Sequence, residues 1–160
     1  MKKIISFLFF ISTVAVIMLY LELVGSISIL KNRAGSFALA TGLLIPFTLL
    51  FLGYIELRRF KTYLIWVLLG ITMLAFYFYF KDVPSLQMKR GSALKSFKSL
   101  IVFLVAFQVS RFAFRKLTGR EYITPSRGGG SDIIENNNPQ LADFIMFAFL
   151  FCSIILGQEI

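Results

Sequence analysis

Histidine is absent from this chain, and cysteine occurs once, at Cys152. The first absence removes the commonest general base, proton relay and metal ligand. The second leaves no intramolecular disulfide and no thiolate metal site. Acids are scarce too: eight Asp and Glu stand against seventeen Lys and Arg, a formal net charge of +9. No carboxylates are spaced for hydrolysis, no serine has a visible base, and no Gly-x-x-x-x-Gly-Lys phosphate loop occurs. These gaps predict a protein that is not an enzyme and carries no cofactor and no metal.

Along most of its length the chain lacks charge of either sign. Phe37–Tyr54 and Tyr63–Phe80 contain none, Ile4–Leu30 only Glu22, and Leu141–Gly157 only Asp143. With 58% apolar residues in 160, a water-soluble domain cannot bury that much uninterrupted hydrocarbon. At roughly 20 residues per span, the runs predict an all-α, polytopic transmembrane bundle forming one integral membrane domain. Its expected spans are 4–26, 36–57, 63–80, 97–115 and 139–157, with a flexible loop over 117–138. The basic residues sit in the connectors, where they set topology and meet anionic headgroups. No basic face is interleaved with exposed aromatics, so nucleic acid is not an expected partner.

Met1-Lys2-Lys3 before an apolar run also fits a secretory signal, with Val24 and Ser26 as a weak cleavage site. Continuation of the run through Ile27–Leu30 favours an uncleaved first span. The short turn Lys31–Gly35 makes spans one and two antiparallel neighbours. Pro46 removes a backbone donor at mid-span, predicting a kink that shapes packing or serves as a hinge. Ser36/Ala40 and Ala38/Gly42 form small-residue pairs that allow close helix approach, with Gly25, Ser26 and Ser28 as expected partners. Tyr63 and Trp66 at one end of span three, and Phe76–Phe80 at the other, read as interfacial aromatic belts.

Ser99–Phe114 is the ambiguous segment. Leu100–Phe107 is apolar all round, which suits a span, but the apolar core is short and Gln108 and Arg111 interrupt its end. The alternative is therefore four spans plus one re-entrant or interfacial helix. Five spans divide the seventeen cations ten against seven; four divide them twelve against five, so positive-inside statistics favour four. An all-round apolar helix is hard to lay flat on a surface, which favours five, with a cytoplasmic amino terminus in a bacterial cytoplasmic membrane. Asn138-Pro139 reads as an N-cap followed by proline at the first position of the last helix.

The candidate intramembrane polar sites are Glu22, Gln108, Arg111 and Asp143. Gln108, Arg111 and Arg115 share one stripe of the helical wheel, which reads as the snorkelling end of span four or else as a polar seam facing the bundle interior, with Arg111 the natural partner of Glu22 or Asp143. Asp143 also suits the positive end of the last helix's dipole. Arg120, Glu121 and Arg127 form a candidate docking loop, and Gly128–Gly130 beside Arg127 a linker. A chain with so few reactive groups reads as a non-catalytic subunit or anchor of a larger membrane assembly. Its partners would be membrane lipids and other membrane subunits or copies of itself. The alternative is a homo-oligomeric channel or small transporter, with Glu22 or the Gln108/Arg111 face lining a polar path.

Overall fold

A computed structural model of the chain describes residues 2–25, 30, 33–89, 91–125 and 138–159. Helix α1 spans Lys2–Leu23. Helix α2, Ala34–Thr48, passes through a π-helical turn at Leu49–Gly53 into the short α3, Tyr54–Leu57. Helix α4 covers Phe60–Phe80, and a two-residue hairpin follows, β1 (Gln87–Met88) against β2 (Gly91–Ser92). A 3-10 turn at Ala93–Phe97 leads into α5, Lys98–Thr118, and α6 covers Leu141–Leu156. The described architecture is thus all-α apart from the hairpin.

Successive long helices reverse direction, and named contacts fix this. Gly53, at the end of the α2 rod, sits beside Ile5 at the start of α1. Phe76, late in α4, packs on Phe97 just before α5. Gly157, just past α6, lies against Ser99 and Val102 early in α5. Phe47–Phe151 and Phe51–Phe147 set α2 antiparallel to α6, whereas Phe9–Trp66 and Tyr20–Phe80 set α1 parallel to α4. One end of the bundle therefore gathers the α3–α4 corner, the end of α5 and the start of α6; it is termed the basic end. The other carries the hairpin and is termed the hairpin end.

Helix α5 runs through the middle, touching α2, α4 and α6, with Leu100, Phe103, Leu104 and Phe107 buried. Three of its sides are thus covered by other helices, while Val105 points outward from the bundle. Four stretches, Ile5–Leu23, Ala34–Leu57, Phe60–Phe80 and Ala93–Thr118, are long and apolar enough to cross a membrane. Helix α6, at 16 residues, is apolar but shorter.

Several sequence expectations need correction. The small face of α2 does not pack on the end of span one. Ala38 and Gly42 instead meet the 3-10 turn after the hairpin, where the Ser96 hydroxyl donates to the Ala38 carbonyl at 3.3 Å. A Cβ on Gly42 would fall 2.2 Å from Ser96 Oγ, so only glycine permits this approach. Gly25 lies in open space, Ser36 and Ala40 are exposed, and Ser26 and Ser28 lie outside the described residues. Trp66 is not an interfacial anchor; it is buried and meets Phe9 edge-on at 5.5 Å. The last helix starts at Leu141, not Pro139, because Asp143 accepts the Gln140 amide at 2.8 Å and so places the cap there.

The region expected as a flexible loop, 117–138, is partly neither. Helix α5 continues to Thr118 and ends on Gly119 at φ +70°, the left-handed stop that glycine supplies. Residues 120–125 then form an irregular strap across the basic end, with Tyr122, Ile123 and Thr124 buried. Tyr122 stands edge-on to Tyr54 and Phe114. The Thr124 hydroxyl donates to the Leu50 carbonyl at 3.1 Å. Leu50 belongs to the π-type turn, so the strap is fastened to the rod where its hydrogen-bond ladder changes register. The π turn follows Pro46 by three residues, so the disturbance expected at the proline is expressed one turn later.

Candidate functional site

The polar groups of the basic end form a node built on two arginine–carboxylate pairs. Arg111, two thirds of the way along α5, donates from Nε and Nη2 to both oxygens of Glu121 at 2.9 and 2.6 Å. Its third nitrogen, Nη1, donates to the Arg58 carbonyl at 3.1 Å, capping the end of α3. Arg58 in turn donates to the Tyr122 carbonyl and lies over the Tyr54 ring. Arg111 therefore ties three elements together: α5, the α3–α4 corner and the strap.

The second pair is deeper. Arg120 donates to Asp143 Oδ1 and Oδ2 at 3.1 and 2.5 Å, and also to Gln140 Oε1 at 3.1 Å. Asp143 also accepts the backbone amides of Ile123 at 3.1 Å and Gln140 at 2.8 Å. Four donors satisfy the carboxylate fully, which is the condition for keeping a completely buried charge. Asp143 is thus more than a complement to a helix dipole; it latches the strap to the start of α6.

This geometry relocates the sequence candidates. Arg111 pairs with neither Glu22 nor Asp143. Glu22 lies in the last turn of α1, at the opposite end of the bundle, and accepts the Leu30 amide at 3.1 Å. Asp143 shares the basic end with Arg111 but is bound to Arg120. Arg120 and Glu121, expected to present a docking surface, turn inward to these pairs; Arg127 and Gly128–Gly130 lie outside the described residues. The Arg111 hydrogen bond holds the Glu121 carboxyl below its ordinary range, against an opposing effect of burial, with the charges of Arg111, Arg115 and Arg58 adding to the lowering.

Sequence reasoning missed Glu56. It is buried at the end of the α2–α3 rod, pairs with Arg59 at 2.9 Å, and borders a cleft of about 300 Å³ with Phe9, Thr62 and Trp66. The signal available was its i,i+3 spacing to Arg59. A larger cleft, about 580 Å³, opens beside the Arg111–Glu121 pair, lined by Gln108, Arg111, Phe112, Arg115, Lys116 and Gly119. Gln108 Oε1 is buried and has no hydrogen-bond partner there. Among the described residues no group of three His, Cys, Asp or Glu side chains is placed to hold a metal ion.

No protein-family model matches the chain, and neither the curated proteins nor the solved structures compared with it include a significant match.

Proposed function

We propose that the chain is a five-span integral membrane protein acting as a non-catalytic subunit or anchor of a larger membrane assembly. One observation carries the reading: the middles of the helices present apolar side chains outward, and the charges lie at the two ends. Phe10, Ile17, Leu44, Leu68, Val109 and Ile145 are all exposed, a surface that water does not favour. Helix α6 is about 24 Å long at 1.5 Å per residue, and it runs the length of α5 in the opposite direction, which supports a fifth crossing. With five crossings, the basic end and the amino terminus share the side with ten of the seventeen cations, and the reading takes that side as cytoplasmic in a bacterial cytoplasmic membrane.

The subunit role rests on where the polar groups point. At the basic end the arginine–carboxylate pairs hold the bundle together, and what the outer surface offers is apolar side chains suited to helix–helix association. Gentle detergent extraction and mass measurement of the intact particle test this. The reading expects the chain together with other polypeptides, and a lone monomer would contradict it. A second reading, a homo-oligomeric channel or transporter, is favoured by the cleft at Gln108 and Arg111. It expects a symmetric ring in the same experiment, with ion flux lost in Glu22→Leu or Gln108→Leu.

A further inference from the structure

We propose that the cleft beside the Arg111–Glu121 pair binds the phosphate of an anionic phospholipid; this rests on the membrane reading above. The cleft is lined by three cations and no acid: Arg111, Arg115 and Lys116. Arg111 is fully engaged by Glu121 and the Arg58 carbonyl. Arg115 shares that same carboxylate through a looser 3.4 Å contact, and its side chain is 59% exposed. Lys116 is exposed and makes no ion pair among the described residues. One carboxylate against three cations leaves two positive charges facing the opening.

The carboxyl end of α5 opposes an anion with an effective charge of about −0.5. Two full cationic charges outweigh it, so the cleft attracts a phosphate despite the helix end. The surroundings identify the phosphate's carrier as lipid. Phe112 on the cleft wall and Leu117 beside Lys116 are 74% and 85% exposed, so apolar surface adjoins the cations directly. A free phosphate has no use for that surface, whereas an acyl chain covers it.

The test is native mass spectrometry of the purified full chain in detergent, titrated separately with phosphatidylglycerol, phosphatidylcholine and inorganic phosphate. Phosphatidylglycerol is expected to bind in preference to phosphatidylcholine. Arg115→Gln with Lys116→Gln should weaken phosphatidylglycerol about tenfold to thirtyfold. Lys61→Gln, which removes one charge at the same end but outside the cleft, as Lys116→Gln does inside it, should leave it unchanged. If the double variant does not fold, Lys116→Gln alone carries the test, with a loss of about fivefold. Unchanged binding in the cleft variants, an equal loss in Lys61→Gln, or displacement of the lipid by equimolar inorganic phosphate would each overturn the proposal. Sedimentation separates the two readings. A chain that pellets with membranes while its cleft variants bind normally defeats the lipid site alone; one that stays in the supernatant without detergent defeats the membrane reading.

Discussion

The basic end and the hairpin end face the same task, fastening connections across a bundle of apolar helices, and they do it with opposite chemistry. At the basic end, Arg111–Glu121 and Arg120–Asp143 bind the strap, the α3–α4 corner and the start of α6 through directed, charge-assisted hydrogen bonds. At the hairpin end, contact comes from the lack of a side chain. Gly42 lets α2 lie against Ser96, and Gly157 lies so near Ser99 that a Cβ there would be 3.0 Å from its Cα. A directed pair depends on charge and on both partners being present. A close approach depends only on size. The two ends should therefore fail under different substitutions.

The largest expected effect is at Asp143. Asp143→Ala strands the Arg120 guanidinium and two backbone amides, and breaking a buried pair costs about 3–5 kcal/mol. Thermal unfolding in detergent should show it, and Arg120→Ala combined with Asp143→Ala should be less damaging than the two single losses added together. Next comes Gly42→Val, expected to cost about 1–3 kcal/mol by overpacking. Ser96→Gly should not restore it fully, because the Ser96 carbonyl carbon itself stands 2.7 Å from the new Cβ position. Full restoration would mean that the hydroxymethyl group alone sets the spacing.

Thr124→Val should cost about 0.5–1.5 kcal/mol, the net worth of its bond to the Leu50 carbonyl. If the loss is absent, the π turn does not need the strap. The smallest effect concerns pH. The Glu121 carboxyl is held below its unfolded value by Arg111, so its contribution is present above that value and fades as pH falls through the lower, folded one. Stability should therefore decline on the acid side of the ordinary carboxylate range, and Glu121→Gln should flatten that part of the profile. The hairpin-end variants should leave the acid profile as it is in the unaltered chain.

The helices were legible because lipid-length apolar runs leave a strong one-dimensional signal, from the charge-free Phe37–Tyr54 to the Leu141–Gly157 run. The partners of the charges were not legible. Arg111 and Glu121 are ten residues apart across a helix end, and nothing in their spacing shows that Gly119 turns the chain back toward α5. Composition also misled at 120–125: few apolar residues suggested a loop, yet Tyr122 and Thr124 meet the Tyr54 ring and the Leu50 carbonyl, which only the folded bundle brings to them. Glu56 was hidden by the basic cluster beside it, although its i,i+3 relation to Arg59 was readable.

Opposed ends are the feature on which the rest depends, and cysteine labelling in intact membranes tests it most directly. In a Cys152→Ser background, single cysteines at Ser85 and at Lys116 would be challenged with a membrane-impermeant thiol reagent from each side in turn. Five crossings predict that Ser85→Cys reacts from one side and Lys116→Cys from the other. Reaction of both from the same side would contradict the five-span bundle.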